Sequence, residues 1–197
     1  MRLRNMLATV TVLGCVSTVT AQTLMPLPGY VRTFTGNVRG YYFTAPIDFI
    51  IVGLRVPDET GAGLQSLEIV RFDGNTPPPP FSATTNAFVS LARFVDQPSA
   101  VRLVVNIPVR SGEVIGIYGQ ASGANSYGPN GTFLSEIFGR PTTLTRSGMQ
   151  ARLNSGPMAN IWSEATGPVS RVEMYYIPAP GGVGLLAMGL IALRRRR

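Results

Sequence analysis

The chain contains no histidine and a single cysteine, Cys15, so any chemistry must come mainly from carboxylates, guanidiniums, hydroxyls, amides and aromatic rings. Imidazole acid–base catalysis and histidine-ligated metals are excluded. With them go the Ser-His-Asp and Cys-His nucleophile mechanisms and most zinc enzymes. Two carboxylates facing across a cleft would suffice for glycoside hydrolysis. Glu113, Glu136, Glu164 and Glu173 are available, but nothing in their spacing pairs any two. Asp58-Glu59-Thr60-Gly61 and Asp73-Gly74-Asn75 are oxygen-rich turns of a kind that can ligate Ca2+. Neither follows a calcium-loop pattern, and Asp, Gly and Asn are also what an ordinary tight turn requires. No metal or cofactor is therefore expected. Tyr118, Tyr127 and Trp162 are better binding candidates, since their flat apolar faces suit pyranose rings while Asn125, Asn130 or Asn160 bond sugar hydroxyls. The competing use of those rings is to fill a sheet core.

The two ends carry a different kind of signal. Pro178-Ala179-Pro180 is followed by an apolar, glycine-rich run from Gly181 to Leu193 and then by Arg194, Arg195, Arg196 and Arg197. Pro178 and Pro180 make an extended segment that is expected neither to continue a strand nor to enter a helix. As a helix the 13 residues after them would span roughly 20 Å, short of the ~30 Å hydrocarbon core. Arginines beside an apolar segment stay cytoplasmic, so the four act as a stop to export and leave the preceding residues outside. Motif, short apolar helix and basic end together resemble the PEP-CTERM sorting signal of Gram-negative bacteria. The resemblance covers residues 178–197, with Ala179 standing where the eponymous motif has Glu. It implies that an exosortase-type membrane transpeptidase cuts and transfers the protein, which is membrane-anchored through the C-terminal helix until then.

At the other end, Arg2 and Arg4 precede an apolar stretch, Met6 to Val16, and Val19-Thr20-Ala21 offers small residues before Gln22. This is the pattern of a signal peptide, residues 1–21, cut by signal peptidase between Ala21 and Gln22. Val12-Leu13-Gly14-Cys15 also resembles a lipobox, which would instead leave a lipidated Cys15 as the first residue.

Removing both signals changes the meaning of the composition. The whole chain has 17 basic and 10 acidic residues, net +7. Six of the arginines lie in the two signals, leaving 11 against 10 in the stretch between. The high basicity is thus a matter of topology, and no basic face remains to hold nucleic acid. Residues 22–177, 156 in number, are of ordinary single-domain size and have no cysteine to crosslink.

That domain reads as all-β. Short β-rich runs occupy residues 30–35, 38–44, 49–56, 64–72, 88–95, 101–109, 113–118, 142–146 and 169–177, separated by Gly, Pro, Asn and Asp. Gly36-Asn37 is expected to reverse the chain between the first two, and Ser111-Gly112 to close a hairpin between 101–109 and 113–118. Pro108 places its strand at an edge or a bulge. Gly74 to Pro80 is expected as a stiff polyproline connector, and Gln120 to Thr132 as a glycine-rich loop presenting Tyr127. Such a pattern predicts an antiparallel β-sandwich, jelly-roll-like, with a closed barrel as the alternative.

Gly40-Tyr-Tyr-Phe-Thr-Ala-Pro-Ile-Asp-Phe-Ile-Ile-Val-Gly-Leu-Arg-Val-Pro57 resembles the opening of β-sandwich ectodomains in planctomycete-type PEP-CTERM proteins, which strengthens the sandwich expectation. By alternation, Ile50, Val52, Leu54 and Val56 form a wholly apolar face and should point to the core. The functional expectation is an exported, non-catalytic structural protein of the cell surface or extracellular matrix. The alternative is a carbohydrate-binding module that attaches to exopolysaccharide.

Overall fold

The computed structural model describes residues 21–180 apart from 60 and 62. Residues 1–20, with Cys15 and most of the expected signal peptide, and residues 181–197, with Arg194 to Arg197, lie outside the described residues. Fourteen strands account for the regular structure. They begin with β1 (Thr23–Leu24), β2 (Arg32–Thr35), β3 (Arg39–Thr44), β4 (Phe49–Arg55) and β5 (Leu64–Phe72). Next come β6 (Phe88–Pro98), β7 (Leu103–Val109), β8 (Val114–Ala121), β9 (Ala124–Asn130) and β10 (Phe133–Ile137). The last four are β11 (Arg140–Gly148), β12 (Trp162–Glu164), β13 (Pro168–Ser170) and β14 (Glu173–Pro178). A single 3-10 turn, Asp73–Asn75, is the only helical element among the described residues. No described helix is long and apolar enough to cross a membrane.

The strands form two antiparallel sheets. One has the order β1-β14-β4-β7. The other runs β10-β11-β3-β8-β5-β6, with β12 beside β11, and β9 joining β8 to β2 and β13. Their facing sides share one apolar core. Phe49, Ile51, Leu54, Ile107 and Met174 come from the first sheet, and Tyr41, Phe43, Leu67, Ile69 and Ile117 from the second. Aromatic rings bridge the layers: Phe43 of the larger sheet stacks on Phe49 of the smaller at 6.4 Å, and Phe49 meets Tyr176 of its own sheet edge-on at 5.9 Å. The sandwich-like, all-β expectation is therefore met.

A second apolar cluster covers part of the larger sheet's other face. Val70, Phe72, Val114 and Tyr118 project there, and residues 149–161, which contain no strand, lay Met149, Leu153, Met158 and Ile161 over them. Glu68, 1% exposed, fastens this cover by accepting the Met158 amide at 2.9 Å.

Several local expectations give way to this topology. The Gly36-Asn37 reversal does not pair its neighbours: β2 lies against β9, and β3 lies between β8 and β11. Ser111-Gly112 closes no hairpin either, because β7 belongs to the smaller sheet and β8 to the larger. This turn carries the chain across the sandwich, tied by Gly112 N–H to Ala45 O and by Ser111 N–H to Asp48 Oδ1. Pro108 does lie on an edge strand, β7.

The strand over Phe49–Arg55 switches faces partway along. Phe49 and Ile51 are buried at its start, and Leu54 and Val56 at its end, while Ile50 and Val52 are only partly covered. The cause is a β-bulge: one step along β14, from Tyr175 to Tyr176, corresponds to two along β4, from Gly53 to Ile51. The extra residue, Val52, inverts the alternation. Simple period-two reading therefore holds for Leu54 and Val56 and fails for Ile50 and Val52.

Gln120 to Thr132 is strand rather than loop. Ser122 and Gly123 both have positive φ, 46° and 82°, and Ala121 pairs with Ala124 across them, so a two-residue turn joins β8 to β9. Gly74 to Pro80 is not a uniform polyproline run, because Gly74 sits in the 3-10 turn at φ 59°. The prolines after it are pinned by Ser163, whose amide donates to Pro79 O and whose hydroxyl donates to Pro78 O. Finally, Pro178 does continue a strand: it is the last residue of β14 and pairs with Phe49.

Candidate functional site

The three aromatic candidates fall close together, but none offers a free face. Tyr118 on β8 is 0% exposed, Trp162 on β12 is 1% exposed and Tyr127 on β9 is 3% exposed. Tyr118 Oη lies 2.8 Å from Ser147 Oγ, and Ser147 Oγ donates to the Trp162 carbonyl at 2.6 Å. Since the serine has one proton and gives it to the carbonyl, the Tyr118 hydroxyl is the donor in the first bond. Burial pushes the Tyr118 phenol well above its ordinary value, against the opposing pull of Ser147.

Tyr127 and Trp162 are joined by arginines. The Arg146 guanidinium lies 5.5 Å from the Tyr127 ring and 5.6 Å from Trp162, and Arg39 lies 4.9 Å from Trp162. Phe34 stacks on Tyr127 at 6.0 Å, and Phe81 packs edge-on against Trp162 at 4.9 Å. Arg39 is itself buried, donating through Nη1 to Val38 O and Met149 O. Desolvation draws its guanidinium below the ordinary value. Buried in this way, none of the three rings, Tyr118, Tyr127 or Trp162, presents a face on which a sugar could stack.

The candidate amides are used in the same way. Asn125 is buried, accepting from Arg39 N at 2.7 Å and donating to Phe34 O and Asn37 O. Asn160 exchanges bonds with Asn86, and Asn130 accepts from Arg32.

The carboxylates are distributed singly. Glu173 holds Arg55 through both oxygens at 2.7 and 2.9 Å, and this bond raises the arginine's affinity for its proton. Glu113 is 3.2 Å from Arg71, Glu164 is 3.3 Å from Arg146, and Glu136 is exposed on β10. Asp58 accepts from Ser99 Oγ and Gly63 N, Glu59 pairs with Arg171, and Asp73 opens the 3-10 turn. Among the described residues no three metal-ligating side chains gather.

An open surface feature lies elsewhere, on the part of the larger sheet that residues 149–161 leave bare. Here β10, β11 and β3 form the floor of a groove of about 610 Å3. Tyr42, Thr44, Thr143 and Thr145 line it, with Leu134 and Pro141 on one side and Pro77 on the other. Tyr42 pairs with Thr145 in register, and Thr143 pairs with Leu134. The groove runs on in both directions. One extension shares Leu134 and Pro141 and reaches Pro26 and Glu136; the other shares Tyr42 and Thr145 and reaches Phe81 and Glu164. The sequence signal for this floor was the alternating Thr143-Leu-Thr145 of β11, whose hydroxyls share one face.

At the ends of the domain, Ala21 and Gln22 are exposed just before β1. Thr23 pairs with Tyr176, and Leu24 with Tyr175. Continuing that register sets Gln22 beside Ile177 and Ala21 beside Pro178. Pro178 and Ala179 are half-buried and Pro180 is exposed. Compared with protein-family models, curated proteins and solved structures, the chain matches none.

Proposed function

We propose that the chain is the precursor of an exported protein that an exosortase-type membrane transpeptidase processes at its C-terminus. The mature domain, a jelly-roll-like sandwich, then serves a structural role at the cell surface or in the extracellular matrix, without catalysis. The observation that carries this reading is the tail: Pro178-Ala179-Pro180, a short apolar run and four terminal arginines, opposite an N-terminal signal-peptide pattern. In the precursor the arginines remain cytoplasmic and the domain lies outside.

The β1–β14 register supports it. A segment entering at Ala21 and one leaving at Pro180 stand side by side, so one membrane can hold both ends of a folded domain. Pro180, exposed beyond the last strand, is the part of the motif that a membrane enzyme can reach first, while Pro178 still pairs with Phe49 at the end of β14. Absence of catalysis is supported by the lack of histidine and by the separate arginine partners of Glu173, Glu113 and Glu164.

The test is pulse-labelling in a host with a matching exosortase. Wild type should lose its tail with time, while Pro180→Ala accumulates at full length in the membrane. If wild type and variant both remain full length and membrane-bound, the segment is a plain anchor.

A further inference from the structure

We propose that the groove over β10, β11 and β3 binds an uncharged polysaccharide chain. This goes beyond the structural role above and does not depend on how the tail is processed. The central lining contains no charged residue, which leaves nothing to recognise phosphate, uronate or nucleic acid. It does contain five hydroxyls; that of Thr142 donates to Thr44 O, and those of Tyr42, Thr44, Thr143 and Thr145 have no hydrogen-bond partner among the described residues. A hydroxyl is both donor and acceptor, as every sugar hydroxyl is, so the two kinds match without a fixed polarity. Between the hydroxyls stand apolar faces, the Tyr42 ring and Pro77, Pro141 and Leu134, against which the C–H faces of a sugar ring can pack.

Within the floor β11 pairs with β10 and, over Thr145 to Gly148, with β3, so side chains line the centre of the trough while β10 keeps its outer edge open. The volume lies in the range of ligand clefts, and the extensions past Leu134 and past Thr145 make a trough open at both ends, as a polymer requires. The wall is already rigid: Ser163 holds the proline run through Pro78 and Pro79, so little ordering is needed on binding.

The experiment is affinity electrophoresis of the full-length chain in mild detergent. The gels contain hydroxyethylcellulose, dextran, a mannan or a galactan, and one contains alginate as an anionic control. At least one neutral gel should retard the protein, and alginate should not. The double variant Thr143→Val/Thr145→Val removes two hydroxyls at nearly constant shape and should weaken that retardation roughly tenfold, with an unchanged urea midpoint showing that the fold is intact. Tyr42→Ala gives an independent check through the ring. The proposal fails if no neutral gel retards the protein, if alginate retards it as strongly, or if the threonine variant binds like wild type. It also fails if a proline-rich peptide is held in the groove and the neutral glycans are not.

Discussion

Changing Ser147 to Ala should cost more stability than changing Tyr118 to Phe, and the two together should cost less than their sum. Both residues are 0% exposed, and Ser147 Oγ sits between the Tyr118 hydroxyl and the Trp162 carbonyl. Tyr118→Phe removes a donor and leaves the serine's own bond intact, so the loss is about 1 kcal/mol. Ser147→Ala strands a hydroxyl and a carbonyl in a dry site. At about 1–3 kcal/mol for each stranded group, less partial relaxation, the expected loss is roughly 2–4 kcal/mol. In the double variant the hydroxyl is gone and only the carbonyl is stranded, so the shortfall from additivity should be about 1–2 kcal/mol. Urea unfolding followed by fluorescence is well suited, because Trp162 is the only tryptophan and belongs to the network. Midpoints should move at constant m-value. Strict additivity, or a loss below about 0.5 kcal/mol for Ser147→Ala, would refute the network and reopen Tyr118 as a surface ring.

Gly40→Ala should prevent folding, since a Cβ there would lie 1.9 Å from the Ile117 carbonyl oxygen on the paired strand β8; failure to recover a cooperatively melting protein checks this. Alkali should destabilise the domain. Burial raises the Tyr41 and Tyr118 phenols above the ordinary value of 10.0, so the folded state prefers the neutral form. Their contribution is complete below about pH 10, where the unfolded tyrosines are also neutral, and is lost as pH rises above it, because only the unfolded chain ionises freely. Urea midpoints between pH 8 and 11.5 should be flat and then fall, less steeply in Tyr118→Phe than in wild type.

Strand positions were largely legible in the sequence, while strand partners were not. Leu64–Phe72 carries a dense run of β-forming residues and appears with the expected bounds, and one neighbour, β6, is simply the next strand, whereas the other, β8, comes three strands later. Gly36-Asn37 and Ser111-Gly112 have true turn chemistry, but the first leads to a non-adjacent strand of the same sheet and the second to the other sheet, and that choice depends on the whole fold. Ala124–Asn130 was hidden because Asn, Ser, Gly and Pro have weak strand propensity; three partner strands override it. The Val52 bulge leaves no local mark, so the faces of β4 could not be assigned by alternation alone.

The same limits governed the site. Aromatic type marks Tyr118, Tyr127 and Trp162 as suited either to sugar or to core, and only burial decides between them. The groove escaped notice because its floor draws on β3, β10 and β11, whose threonines look like ordinary strand residues one at a time.

The central claim is that both ends of the chain are processed at one membrane. Intact-mass measurement of the protein recovered from the surface of a host with an exosortase tests it most directly. The expected product begins at Gln22 and ends close to Pro180, having lost the apolar run and all four arginines. A product retaining residues 181–197, or one beginning at a lipidated Cys15, would contradict the account.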